Sequence, residues 1–415
     1  MGAALQLTVE QQAAYEDFAR FVVDPQQSVF VLEGYAGTGK STLVKYLIEQ
    51  IDKLFKTLKL VDPTYKSVEL VLSATTNKAA EAFQFITGKD VRTIHSVLQL
   101  RVMMDYSNNT SRLVTAPNSH GIKDTLLVVD EASGVDSQLL DYIFKRTHNC
   151  KIMFIGDPAQ LALGRGTSTP VFSAGFPTAQ LTEVVRQAKG NPIIALSSLF
   201  RNTVNSGDFF QFAPDNHHIQ WMDQEKFEEA IVAEFNRPDW HDKESKVLAW
   251  TNKTVIGYNN GIRNLVKGSP EFSVGDYVIN NNYIYTQHCQ LKTDQLVCIT
   301  KKEPAVEHNI SGFILELDGR QSAFMPTDNQ DKKRRIKLAK DQGENWLAAD
   351  ISKSWIDLRA VYSCTINKSQ GSTYNKVFID LDDVRKCNNK NQVARMLYVA
   401  VSRARHQVIF TGDLV

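Results

Sequence analysis

The run Gly34-Tyr35-Ala36-Gly37-Thr38-Gly39-Lys40-Ser41 carries the spacing G-x-x-x-x-G-K-S. Residues of these types at this spacing suit the binding of a nucleotide's phosphates. Glycine lets the backbone take positive φ and come close to a ligand, so successive N–H groups can face anionic oxygens. Lys40 is placed to reach the β- and γ-phosphates, and the Ser41 hydroxyl to ligate Mg²⁺. The expected nucleotide contacts are Gly34, Gly37, Thr38, Gly39, Lys40, Ser41 and Thr42. Asp130-Glu131 supplies paired carboxylates. Asp130 would hold the Mg²⁺ ion, and Glu131 would orient and deprotonate an attacking water. Gln160, in Gly156-Asp157-Pro158-Ala159-Gln160-Leu161, is a candidate sensor of the γ-phosphate. Arg403, in Leu397-Tyr398-Val399-Ala400-Val401-Ser402-Arg403, is a candidate arginine finger, because a permanently charged planar donor suits charge developing in phosphoryl transfer.

These groups need rigid elements behind them. Val29–Leu32, before the glycine loop, is apolar and β-branched, as a buried parallel strand should be, and Thr42–Ile48 after it reads as an amphipathic helix. Further apolar strands are expected at 68–72, 126–129, 152–155, 247–250, 377–380 and 408–410, several ending in polar residues. Helical patterns separate many of them, which predicts α/β layers around parallel sheets, with functional groups at the carboxyl ends of the strands.

Composition leaves the partner open. The 415 residues carry a net charge of +1 and are 43% hydrophobic and 22% charged, values ordinary for globular domains and enough for two or three of them. Cys150, Cys289, Cys298, Cys364 and Cys387 show no zinc spacing and read as free thiols. The N-terminus is too polar and short for a signal peptide, and no apolar run approaches the ~18 residues of a membrane span. A soluble protein of the cytoplasm is expected.

Two segments break the alternation. Residues 97–122 read as a β-hairpin with Asn108-Asn109 near its turn. Residues 271–350 are rich in short strands and turns and read as a small inserted β-barrel. The run Lys332-Lys333-Arg334-Arg335 reads as a solvated loop or helix face, with DNA contact as the alternative.

In this order the motifs resemble those of superfamily-one helicases, in the 5′-to-3′ class that includes the phage Dda helicase and RecD-like enzymes. Leu7–Gln11 is similar to the opening motif, whose glutamine reads adenine; Gln11 inherits that role. Ala74–Ala80 resembles motif Ia, and Thr93-Ile94-His95-Ser96 the T-I-H-S element. Asp130-Glu131 corresponds to motif II and Gly156–Leu161 to motif III. Leu181–Gln187 resembles motif IV, which implies a second γ-phosphate arginine at Arg186. Thr365–Thr373 resembles motif V, and Leu397–Arg405 motif VI. Departures are Thr75 for a proline, the absence of a proline-rich tail after Leu161, Asn367 for a histidine that can titrate, and Ser402 for a threonine.

The resemblance implies an α/β fold with two RecA-like motor domains. The first is expected over 1–180, with the hairpin at about 97–122 as a strand-separating pin. The second covers 181–270 plus 351–415, with an SH3-like β-barrel inserted at 271–350. ATP and Mg²⁺ are the implied cofactors, bound between the motor domains. Implied DNA contacts are Thr76, Asn77, Thr93, His95, Thr365, Asn367, Ser369, Gln370 and Thr373, with Met103, Met104 and Tyr106 as the pin's wedge. Tyr277, Tyr283 and Tyr285 offer rings for stacking on DNA, although core packing is expected of at least two. The implied activity is that of an ATP-dependent DNA helicase moving 5′ to 3′ on single-stranded DNA, in replication, recombination or repair. The alternatives are a translocase or protein-displacing ATPase without strong unwinding, and a recruiting subunit switched by ATP. Expected partners are single-stranded DNA and its junctions with duplex, together with a single-strand-binding or replisome protein. The chain is expected to function as a monomer.

Overall fold

Four apolar runs of the first half and two shorter, more polar edge strands align as one parallel sheet. Its order is Thr178–Leu181, Val29–Gly34, Lys151–Gly156, Thr125–Asp130, Glu69–Ala74 and Val91–Thr93. The structure, a computed structural model, describes residues 6–61, 63, 68–105, 110–117, 119–162, 169–183 and 190–414. The sheet is covered on both faces, which is why its four central strands read as largely apolar runs. Alternation at period two divides the side chains between two cores. Phe30 and Leu32 join the core formed with the helices Val9–Val23 and Lys40–Val61. Val29 and Val31 join the opposite core, which includes Leu139 and Ile143 of the helix Ser137–Arg146. The helix Lys40–Val61 buries Leu43, Val44, Leu47, Ile48, Ile51 and Phe55, one stripe at helical spacing.

Register decides what gathers at the carboxyl edge. Glu33 lies beside Gly156, Gly34 beside Leu181, and Ala74 beside both Asp130 and Thr93. The glycine loop, the paired acids and the loop opening at Gly156 therefore leave one edge of one sheet.

The chain forms two compact units. The first comprises 1–220, 366–373 and 385–408; the second comprises 221–365, 374–384 and 409–415. Motifs V and VI thus belong largely to the unit that holds the glycine loop. Within that unit the hairpin pairs Leu100–Asp105 with Thr110–Thr115, from Leu100 opposite Thr115 to Asp105 opposite Thr110. Its turn and Tyr106, expected in the wedge, lie outside the described residues, as does Arg186.

The second unit contains parallel pairing of Ser245–Ala249 with Ser363–Thr365 and Tyr374–Asp380. It also has a five-stranded antiparallel sheet, ordered Gln321–Pro326, Ile310–Leu317, Leu296–Glu307, Tyr277–Asn280 and Leu358–Arg359. A two-stranded ribbon, Ile284–Tyr285 with Gln290–Leu291, packs Ile284 and Leu291 into that sheet's core. Helices Asn329–Asp341 and Asn345–Ser354 come between the sheet's strands Gln321–Pro326 and Leu358–Arg359.

Two expectations change here. Tyr277, Tyr283 and Tyr285 are exposed at 62%, 62% and 61%, so core packing claims none of them. The strands turn the intervening residues, Val278 and Ile284, inward instead. The basic run is helical, but Lys332 donates to the carbonyls of Ser352 and Trp355. Burial holds its ammonium down at about 8. Arg335 donates to His308 O and Arg334 pairs with Asp331. Of the run, only Lys333 is left without such a partner among the described residues.

Candidate active site

The loop after Val29–Gly34 is built to keep its backbone facing outward. Gly37 and Gly39 have φ of 85° and 74°, in the left-handed region that favours glycine. A Cβ on Gly34 would lie 3.0 Å from Thr38 Oγ1 and 3.3 Å from Lys40 Cδ, so a side chain there would crowd the cradle. The Thr38 hydroxyl donates to Tyr35 O at 2.9 Å, and Lys40 Nζ to Gly34 O at 2.8 Å. The helix begins at Lys40, with Ser41 and Thr42 exposed in its first turn. Backbone N–H groups at a helix N-terminus form a ready anion site, and the cradle fits a nucleotide's phosphates.

Gln11 sits behind this loop at 5% exposure. Its carbonyl oxygen accepts from Thr8 N in a capping box, while its amide donates to Thr38 O at 3.2 Å. The residue expected to read adenine is therefore tied to the phosphate loop. The neighbouring Glu10 carboxylate accepts from the backbone of Thr182 at 2.6 Å and of Glu183 at 2.8 Å, which fixes the start of motif IV.

Asp130 ends its strand, and Glu131 turns with φ 53° and ψ 46°, a conformation that non-glycine residues rarely take. Glu131 O is held by the Thr75 hydroxyl at 3.1 Å and by Gly134 N at 2.9 Å. Thr75, where the family pattern has proline, thus fastens motif Ia to motif II. Burial, with Glu131 adjacent, pushes the Asp130 carboxyl up to about 7, and Lys40 pulls against that. A carboxylate so placed suits a divalent cation, which would supply the missing positive charge. The Ser41 hydroxyl and Asp130 are the donors that fit Mg²⁺.

Behind the loop lies a buried polar cluster that motif reading did not single out. Asp157 is fully buried and accepts from the Tyr398 hydroxyl and from Ala159 N at 2.9 Å. The same Tyr398 hydroxyl accepts from Ala36 N, in the glycine loop, at 3.1 Å. Burial and the Asp157 charge push the Tyr398 phenol well above its usual range, so it stays a donor. The Arg201 guanidinium stacks over the Tyr35 ring at 3.1 Å, with Nε 3.8 Å from Asp157 Oδ1. Glu33, raised by burial, accepts from Gln180 at 3.1 Å close by. Arg395 donates to Pro158 O and to Gln160 O, the latter at 2.8 Å. Arg201 lies among apolar and small polar residues and Arg395 between the buried Ala394 and Met396, and nothing in the local pattern singled out either.

Other expected residues fall around this centre. Gln160 and Gln370, from motifs III and V, meet at 3.4 Å, and Gln370 also donates to Leu161 O at 3.1 Å. Thr76 caps the helix Asn77–Thr87 through Ala79 N, and Thr93 caps Ile94–Val97 through Ser96 N. Gly371, at φ 74°, would place a Cβ 3.7 Å from Ala79, so motif V lies against the start of the motif Ia helix. Lys78 Nζ donates to Lys368 O at 3.2 Å in the same contact. His95 is half-buried, and burial lowers its pKa, which favours the neutral imidazole. Ser369 is fully buried and gives its hydroxyl to Ile366 O at 2.6 Å, so it shapes its loop rather than facing a strand. Asn367 is half-buried, Thr373 exposed and Thr365 buried. Arg403 is buried and donates to Val399 O, the Ser402 hydroxyl and Ser372 O, none of them in the glycine loop.

Residues 6–224 match the AAA domain family, and residues 360–411 the UvrD-like helicase C-terminal domain. The chain is 24% identical to the ATP-dependent DNA helicase dda of Enterobacteria phage T4, over 97% of this chain and 99% of that one. It is 31% identical to the ATP-dependent RecD2 DNA helicase of Deinococcus radiodurans, over 40% of this chain and 20% of that one. A solved structure of two coordinating Pif1 helicases at forked duplex DNA superposes with a TM-score of 0.53. It has 18% identity and covers 99% of this chain and 93% of that one. The mixed α/β fold with parallel sheets is the one these proteins share. The chain belongs to the AAA domain family and is a superfamily-one helicase of the Pif1, Dda and RecD type.

Proposed function

We propose that this chain couples Mg-ATP hydrolysis to 5′-to-3′ movement along single-stranded DNA and to separation of duplex strands. The observation that carries the reading is the joining, within one unit, of the phosphate loop, the Asp130-Glu131 pair and the motif V loop. Gln160 hydrogen-bonds Gln370, and Lys78 hydrogen-bonds Lys368. A change at the phosphates can thereby reach residues expected to touch a strand, as conversion of binding into movement requires.

In the hydrolytic step Lys40 and the loop's backbone N–H groups hold the phosphates. Ser41 and Asp130 would hold Mg²⁺, which would supply positive charge to offset that of the phosphates. Glu131, its backbone fixed by Thr75, orients a water for attack and takes its proton. Gln160 senses the γ-phosphate. Arg186 and Arg403 are the proposed arginines for the charge developing in the transition state, Arg403 after release from its present carbonyl partners. Thr76, Asn77, Thr93, His95, Asn367, Gln370 and Thr373 contact the strand through its phosphates and sugars, so binding is largely independent of sequence and weakens with salt. The hairpin at 100–115 acts as the pin, and the antiparallel sheet of the second unit as the inserted SH3-like barrel. Replication, recombination or repair is the setting.

Unwinding of two partial duplexes, one tailed at 5′ and one at 3′, tests this, with Lys40→Ala as the blank. Opening of the 5′-tailed substrate alone is expected. Opening of only the 3′-tailed substrate overturns the polarity. Failure to open either one, with hydrolysis still stimulated by single strands, overturns strand separation.

A further inference from the structure

On the second unit's ribbon, Tyr283 and Tyr285 form a pair that no catalytic or motif role accounts for. Their rings are nearly parallel, with planes 6° apart and centroids separated by 6.3 Å. Both are exposed, at 62% and 61%, so neither ring is held by a core. Tyr285 lies on the strand Ile284–Tyr285 and Tyr283 immediately precedes it; both rings face solvent, while Ile284 between them is fully buried. The separation is close to twice the ~3.4 Å rise of stacked bases. A planar ring would enter between them as the two side chains rotate apart.

The ribbon's second strand completes the surface. Tyr285 lies opposite Gln290 and Ile284 opposite Leu291, and just beyond that pair the Asn280 amide donates to both Asn282 O and Lys292 O, which draws Lys292 toward the residue before Tyr283. Gln290 and Lys292 are both exposed, and Lys292 has no carboxylate within ion-pair distance among the described residues. The outward face thus offers two aromatic planes, an amide able to bond a base edge and an uncommitted cation. The support beneath it is fixed. Leu291 is buried beside Ile284, and the turn is closed by Thr286, whose N–H donates to Cys289 O at 2.8 Å and whose hydroxyl accepts from Cys289 N at 2.9 Å. Gln290 N donates to the Gln321 side chain at 2.8 Å, which ties the ribbon to the neighbouring sheet strand. Little ordering is left to do when a ligand arrives.

We propose that Tyr283 and Tyr285 form a slot for one unpaired nucleobase of a single strand, with Lys292 taking an adjoining phosphate. The proposal rests on the single-strand-binding reading above and adds a base-holding site on the second unit. Stacking on aromatic side chains tolerates every base, which suits a protein that must pass along any sequence.

The test uses the full chain and a single-stranded oligodeoxythymidine carrying one fluorescent adenine analogue that is quenched by stacking. Tyr283→Ala/Tyr285→Ala is expected to weaken binding about tenfold and to remove most of the quenching, given the usual worth of base–aromatic stacking. Tyr283→Phe/Tyr285→Phe keeps the planes and is expected to stay within about twofold of the parent. Lys292→Ala is expected to reduce the salt dependence of binding by about one phosphate contact. Unchanged melting of all three variants shows that the ribbon still folds. Parental affinity and quenching in the alanine pair overturns the slot, and so does a phenylalanine pair as weak as the alanine pair. Failure of the parent itself to bind the oligonucleotide overturns the strand-binding reading and the slot together.

Discussion

Tyr398→Phe removes one oxygen and should loosen the phosphate loop from behind. That hydroxyl donates to Asp157 and accepts from Ala36 N at 3.1 Å. Asp157 has no exposed surface and Tyr398 only 1%, so water does not readily replace what is lost. A hydrogen bond to a charged group is worth about 1.5–3 kcal/mol and a neutral one about 0.5–1.5 kcal/mol. The sum places the destabilisation at about 2–4.5 kcal/mol. The share felt by the loop is the Ala36 bond, about 1 kcal/mol, or roughly fivefold in nucleotide affinity. Titration calorimetry with ADP and scanning calorimetry of the same protein read the two parts separately. Adding Asp157→Asn completes a cycle, in which groups in direct contact should couple by about 0.5–3 kcal/mol. A Tyr398→Phe protein that melts and binds ADP like its parent, or a cycle that is additive, would refute a tether between this helix and the loop.

Gly156→Ala should be costly despite its small size. The added Cβ would meet Phe172 Cζ at 2.8 Å and the backbone nitrogens of Ala132 and Ser133 at 3.1 and 3.3 Å. The ring can shift but the backbone beside Glu131 cannot move freely, so about 1–3 kcal/mol of stability should be lost together with turnover; parental melting and parental kcat would count against this packing. Lys332 gives a pH prediction. Its folded-state value is about 8 against 10.5 when unperturbed. Its charged form is thus penalised by folding below pH 8, and the penalty is relieved between about pH 8 and 10.5, reaching about 3 kcal/mol at most. Lys332→Met should therefore melt higher than the parent at pH 7 and gain less on going from pH 8 to 10. Trp355 O would still accept from Asn282 at 3.3 Å. A variant that melts lower at pH 7, with the parent's slope intact, would show that the ammonium stabilises the fold. Glu131→Gln should keep ATP binding and lose at least about 100-fold in hydrolysis, the usual scale for a lost general base; rapid turnover by that variant would move the base elsewhere.

The chemistry that was legible in the sequence is the part in which position along the chain and position in space coincide. Gly34 to Ser41 is contiguous, and its strand and helix are its immediate neighbours, so loop, flanks and function could be read together. Asp130-Glu131 was legible because an apolar strand ending in acids points to the carboxyl edge of a parallel sheet. The tether behind the loop was not legible. Tyr398 and Asp157 are 241 positions apart, and Tyr398 lies on a helix whose neighbours from Met396 to Val401 are buried core. In such a stretch a tyrosine reads as one more apolar residue until its partner is known. Tyr283-Ile284-Tyr285 failed for a different reason. Period two states that the tyrosines oppose the isoleucine, but not which side faces water. Only the closure of the sheet around Ile284 decides it, and that decision turns Tyr283 and Tyr285 outward, where core packing was expected of at least two of the three tyrosines.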